Sequence, residues 1–177
     1  MARAYNNLGD TYLRTHELEN ALSYFKKAEK SASIYGNEDM RGWVLFNIAE
    51  TMARMGNVAE GKKYLEESEE ILSRMNDQLG LAQVTHCRGL FYAAEGKNDK
   101  AEEAYNKALA SFKRLSTPLE QGLTLKELGS LYLSGGQKDR AQKVLLEAKS
   151  IFTNHQIRDE AVRVQVLLQE AGIDHED

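Results

Sequence analysis

Apolar residues return along this chain at spacings of three and four, the mark of helix faces, and their order repeats at a shift of 40 residues. Gly9, Ala49, Gly89 and Gly129 stand in register, followed three residues on by Tyr12, Met52, Tyr92 and Tyr132. Further along each unit come Ala21, Gly61, Ala101 and Ala141, then Phe25, Leu65, Tyr105 and Leu145, then Ala28, Ser68, Ala108 and Ala148. Turn residues repeat too: Gly56, Gly96 and Gly136, with His16 in the first unit, divide each unit into two helices. Between units, Asn37, Asp77 and Thr117 fall where N-caps are needed, and Pro118 takes a first helical position, where its missing N–H costs nothing. The pattern predicts helices over 2–14, 18–34, 38–54, 58–74, 78–94, 98–114, 118–134, 138–152 and 158–171. No β-branched or aromatic run predicts a strand.

Four helical hairpins follow, over about 2–36, 37–76, 77–116 and 117–156, in one domain spanning 1–177 with a capping helix at 158–171 and a disordered tail at 173–177. The expected fold class is all-α, a superhelix of stacked hairpins, because a lone hairpin cannot bury its apolar faces and gains stability from its neighbours. Small residues let backbones approach and large partners fill the gaps. The last helix sets Ala161, Val164, Leu168 and Ala171 on one side under polar cover, as a cap would. The N-terminus lacks such a cover, so the chain is expected to continue a longer solenoid or to form a homodimer through its uncapped N-terminal hairpin, the alternative being a bare end that is tolerated.

At Tyr5, Leu8-Gly9, Tyr12, Ala21, Phe25 and Ala28 the first unit closely resembles the tetratricopeptide repeat family. The fourth matches at Leu125, Leu128-Gly129, Tyr132, Ala141, Leu145 and Ala148, the third departs at Arg88, and the second departs most, at Ile48-Ala49, Met52 and Gly61. The resemblance covers residues 2 to about 153 and implies a right-handed solenoid. The usual repeat of that family has 34 residues, so each unit here has six more, about 9 Å of added helix. By period alone these long repeats resemble those of cell-polarity adaptors and of sensor regions in large bacterial and archaeal regulators.

Charge and composition narrow the partners. The net charge is −4, so no basic excess favours a nucleic acid or an anionic membrane. Cys87 is alone, which excludes an internal disulfide and a cysteine zinc framework and makes a cytoplasmic location the expectation. No stretch reads as a signal peptide or membrane span.

Candidate chemistry is sparse. His16, His86, His155 and His175 lie in separate units or tails without the spacing of metal ligands, and Gly135-Gly136 follows no strand and fits a repeat turn. Glu66-Glu67-Ser68-Glu69-Glu70 reads as a wet second-helix face. No enzyme activity, cofactor or metal is expected.

The family resemblance implies a concave groove lined by first helices, with ligand contacts opposite the packing face. By register those residues are Asn6, Asp10 and Arg14 in the first unit, with Trp43, Phe46, Glu50 and Arg54 in the second. The third and fourth units add Gln83, His86 and Leu90, then Lys126 and Ser130. Trp43 and Phe46 share a helix face and would form an apolar anchor, or else Trp43 packs against the preceding helix near Tyr35. The run of basic residues that clamps a C-terminal carboxylate in some relatives is interrupted here by Asp10, Phe46 and Glu50, and that specificity is not carried over. The expected function is a non-catalytic scaffold binding a protein or peptide in this groove. The alternative is a sensor or regulatory segment of a larger signalling or transcription-regulatory protein, acting by self-association or a change of curvature.

Overall fold

A computed structural model describes residues 1–173, which form nine helices and no strand. They are α1 Ala2–Arg14, α2 Leu18–Ile34, α3 Glu38–Arg54, α4 Val58–Arg74, α5 Gln78–Ala94, α6 Asn98–Leu115, α7 Pro118–Ser134, α8 Lys138–Asn154 and α9 Arg158–Glu170. All but one lie within a residue of the sequence expectation. The exception, α8, runs two residues further because its stop is set by Gln156, which takes a positive φ of 58°.

Each helix ends with one residue in the left-handed region, where the chain turns back and satisfies the last carbonyls. Within hairpins these are His16, Gly56, Gly96 and Gly136, at φ between 61° and 77°. At Gly56 the closing bonds run from Gly56 N–H to Ala53 C=O and from Asn57 N–H to Met52 C=O, a Schellman arrangement. The same pair ends α9, where Ile173 N–H donates to Leu168 C=O and the Ile173 side chain is buried. Ile173, assigned by sequence to a disordered tail, therefore belongs to the C-cap of α9, and positions 174–177 of that tail lie outside the described residues.

At the helix starts, Asn37 Oδ1 accepts from Met40 N–H at 3.0 Å and Asp77 Oδ1 accepts from Gly80 N–H at 2.9 Å. Thr117 has the position but not the cap: its hydroxyl donates back to Phe112 C=O instead, and Pro118 relieves α7 of one orphan donor.

The chain packs as two compact units, Met1–Lys97 and Asn98 onward. In the first, α1, α3 and α5 form one layer and α2 and α4 the other. Neighbouring first-layer helices touch, whereas α2 and α4 do not, so the first layer is the crowded inner one. Ala21, Phe25 and Ala28 of α2 meet Val44, Ile48 and Met52 of α3 in one core cluster. A second joins Phe46, Ala49 and Ala53 of α3 to Leu65 and Leu72 of α4 and Val84, Cys87 and Phe91 of α5. In the second unit α7 and α9 touch whereas α6 and α8 do not, and Tyr105, Phe112, Leu125, Leu128, Leu145 and Phe152 are buried there.

Close approach within hairpins rests on small residues. A Cβ at Gly122 would lie 2.4 Å from the Phe152 ring, which is fully buried, and a Cβ at Gly129 would lie 2.4 Å from Leu145. Gly122→Ala is expected to lower the unfolding free energy by about 1–2 kcal/mol, the overpacking cost outweighing the gain in helix propensity. Gly135→Ala, whose new methyl would find its nearest neighbour at 3.5 Å, is expected to change it little. Urea titration followed by circular dichroism checks both, and recovery of stability when Phe152→Leu is added to Gly122→Ala would assign the loss to the ring.

Candidate functional site

The inner layer of the first unit carries a polar network that joins neighbouring repeats. Asn47 on α3 donates from Nδ2 to Asn6 Oδ1 at 2.9 Å and to Asp10 Oδ1 at 3.4 Å, and Asn6 Nδ2 donates to Asp10 Oδ2 at 3.2 Å. One turn further along α3, Glu50 accepts twice from Arg54, at 3.1 and 2.9 Å. The Glu50 charge acts on Asp10 across the two helices, and the Arg14 charge acts on it from α1. Amides and guanidinium groups therefore both neighbour these carboxylates. Such a surface can meet both the peptide groups and the charged side chains of an extended ligand.

Burial pushes the Asp10 carboxyl up to about 6, the neighbouring Glu50 charge adds to this, and Arg14 opposes it. The hydrogen bonds that Asp10 accepts come from neutral amides, which do not offset the loss of water around a carboxylate as a cation would.

The structure separates the sequence-predicted residues into two groups. Asn6, Asp10 and Glu50 join in or beside the network, with Arg14 and Arg54 exposed next to them. Gln83 and Leu90 are half-buried on α5, with Leu90 against the second core cluster. Phe46 and His86, in contrast, are only 4% and 5% exposed, and neither has surface to offer a ligand. The aromatic anchor is corrected accordingly. Trp43 meets Phe46 edge-on at 6.2 Å and donates its indole N–H to Asp77 Oδ2 at 3.0 Å, tying α3 forward to the N-cap of α5. Trp43 thus does interhelical work, but toward the following helix and not toward Tyr35, which is exposed.

In the second unit Lys126 is also committed. It donates to Glu160 of α9 at 2.6 Å, while Ser130 donates to the Lys126 carbonyl at 3.2 Å. Burial alone would raise the Glu160 carboxyl, but Lys126 and Arg163 together hold it below the usual carboxylate range.

Asn47 was missed by the sequence reading. Strict 40-residue register places it beside Asn7, off the ligand face, yet its partners lie 41 and 37 residues back. An amide set between two large apolar residues, Phe46 and Ile48, was the available signal.

Because native Asp10 holds its proton to about pH 6 against an ordinary value of 3.8, its contribution to stability is complete below 3.8 and is lost as pH rises through about 6. Asp10→Asn removes that loss. Urea unfolding of the two proteins should show the variant gaining on the wild type by roughly 1 kcal/mol between about pH 4 and pH 8, a figure reduced for solvent screening of a partly exposed group. An unchanged difference across that range would show that Asp10 titrates normally.

A tetratricopeptide repeat model matches residues 1–74 and 80–154. Among curated proteins none matches the sequence. Solved structures similar to the chain include BtubC from P. vanneervenii, at 22% identity and a TM-score of 0.63, over 88% of this chain and 64% of that one. A Rap protein complexed with competence and sporulation factor is similar at 18% identity and a TM-score of 0.84, over 94% of this chain and 47% of that one. A signal-transduction ATPase with a tetratricopeptide repeat sensor, from Pyrococcus horikoshii, is similar at 18% identity and a TM-score of 0.72, over 96% of this chain and 26% of that one. This chain therefore spans less than two thirds of each of these proteins. At such identities the likeness speaks for the fold, an all-α helical-repeat superhelix. With the family model covering most of its length, the chain belongs to the tetratricopeptide repeat family.

Proposed function

We propose that this protein is a non-catalytic scaffold that holds an extended peptide or protein segment along the inner layer of α1, α3 and α5. The observation that carries this reading is the Asn6–Asp10–Asn47 network, which presents side-chain amides and a carboxylate on the inner layer beside the Glu50–Arg54 pair. Amide side chains donate and accept together, so they can take over the hydrogen bonds of an extended backbone as it leaves water. The family's repeat fold is in general an interaction module, and the Rap protein of similar fold is captured with competence and sporulation factor.

A second reading, that the chain is the sensing segment of a larger signalling or transcription-regulatory protein, is favoured by the repeat sensor of the P. horikoshii ATPase, of which this chain spans 26%. In that setting ligand binding or self-association through the first hairpin would alter curvature. Leu8 supports a self-association surface: it is 44% exposed, whereas its register partners Ile48 and Leu128 are buried. A cytoplasmic location belongs to both readings. No described helix is long and apolar enough to cross a membrane.

Selection of peptides from a random displayed library, followed by fluorescence anisotropy on the best binder, tests the first reading. Asn47→Ala should weaken binding about tenfold or more, the cost of losing paired hydrogen bonds in a desolvated contact. Lys30→Ala, on the exposed face of α2, should leave binding unchanged. Equal affinities for wild type and a folded Asn47→Ala would move the site off the inner layer. Concentration-dependent mass by sedimentation, abolished by Leu8→Glu, would instead support self-association.

A further inference from the structure

The joint between α4 and α5 is built differently from the α2–α3 joint of the same unit. At α2–α3 the first helix of the later repeat inserts Val44, Ile48 and Met52, all buried. The residues in the same register on α5 are Val84, which is buried as well, Arg88 and Tyr92. Arg88 reaches out to pair with Glu69 of α4, with about two fifths of its side chain exposed. Lys62 of α4 likewise pairs with Glu95, just past the end of α5, and Lys97 shares that carboxylate at 2.9 Å.

Part of the lost apolar volume is recovered by an exchange of sizes. Gly61 stands on α4 where the other repeats have alanine, and the Phe91 ring lies where its Cβ would be, 2.7 Å away. The exchange does not fill the joint. An open cavity of about 230 Å3 remains, lined by Lys62, Leu65, Glu66, Arg88, Phe91 and Tyr92.

The two halves of α5 are thus held by different forces. Its N-terminal half is pinned: Asp77 caps it and accepts the Trp43 indole N–H, and Gly80 presses so closely on Leu72 that a Cβ would lie 2.9 Å from that side chain. Its C-terminal half buries Cys87 and Phe91 in the cluster with Leu65, but its α4-facing edge is closed by two partly exposed ion pairs beside a cavity. Exposed pairs are worth little and are screened by salt, whereas apolar insertion of the α2–α3 kind is indifferent to it.

We propose that the α4–α5 joint is the compliant joint of the Met1–Lys97 unit, closed by the Arg88–Glu69 and Lys62–Glu95 pairs, so that the C-terminal half of α5 opens and closes about its pinned N-terminal end. Its consequence for binding rests on the inner-layer reading above: Leu90 rides on the moving half, so the inner layer widens or narrows with the joint. Anything that competes for Arg88 or Lys62 shifts that balance.

Hydrogen exchange by mass spectrometry on the whole chain, without ligand, tests this at about 0.05 M and about 1 M NaCl. Exchange over 86–94 should rise roughly two- to fivefold at high salt, the effect of screening two exposed pairs, while α3 stays unchanged. Arg88→Leu should slow exchange over 86–94 and abolish its salt response. Glu69→Gln, which leaves the apolar surfaces intact, should exchange at low salt as the wild type does at high salt, and it serves if Arg88→Leu misfolds. Salt-independent exchange over 86–94 in the wild type, or an equal rise across α3, would overturn the proposal. Neither outcome touches the peptide-binding test, so a failure of the joint and a failure of the inner-layer site remain distinguishable.

Discussion

The stack depends on helix backbones approaching so closely that a large side chain occupies the place where its neighbour's Cβ would begin. Within hairpins Phe25 lies 2.5 Å from a Cβ built at Gly9 and Phe152 lies 2.4 Å from one at Gly122, and between the second and third hairpins Phe91 lies 2.7 Å from one at Gly61. Those rings are fully buried or nearly so, and they are what the repeat stacks around. A protein built this way has no central core to share among its parts. Stability comes from a series of local joints, and each joint is as strong as the pair of surfaces that meet in it.

That arrangement explains why chemical variety is confined to certain positions. Residues facing a partner helix within a hairpin are held to small or large apolar types, and even polar intrusions are satisfied locally. Ser68, standing where other repeats have alanine, is fully buried and donates its hydroxyl to Gly42 C=O at 2.7 Å. Variation is freer on the inner layer, where side chains of α1 and α3 meet beside solvent. There the Asn6, Asp10 and Asn47 side chains form a network that no repeat could make alone, because it takes residues from two. The half-buried Asp10 carboxyl, raised to about 6, marks this as a place where water has been partly removed and no full countercharge supplied.

The repeats also differ in what joins them. Ile48 inserts at the α2–α3 joint, whereas Arg88 in the same register at α4–α5 pairs outward with Glu69, and an open cavity borders the apolar packing there. Trp43 shows a third device, an indole that spans from α3 to the N-cap of α5 and so couples one repeat's packing to the next repeat's helix start. These three departures from strict repetition lie within one unit of 97 residues.

Helix positions, hairpin turns and packing faces were legible in the sequence because they depend on neighbours a few residues away, through the 3.6-residue period and the left-handed turn positions. The 40-residue register carried that local logic from unit to unit and placed Asn6, Asp10 and Glu50 on the inner layer. It failed where contacts cross between repeats. Adjacent first helices meet at a slant, so Asn47 finds partners 41 and 37 residues back, Trp43 reaches forward to Asp77, and Lys126 is taken by Glu160. Phe46 and His86, assigned to a ligand by register, are buried instead. The sequence by itself determined the helices, the hairpins and the family, because short-range periodicity governs all three. Only the tertiary structure decided which inner-layer side chains are spent on holding repeats together, since that choice depends on the offset between helices distant in the chain.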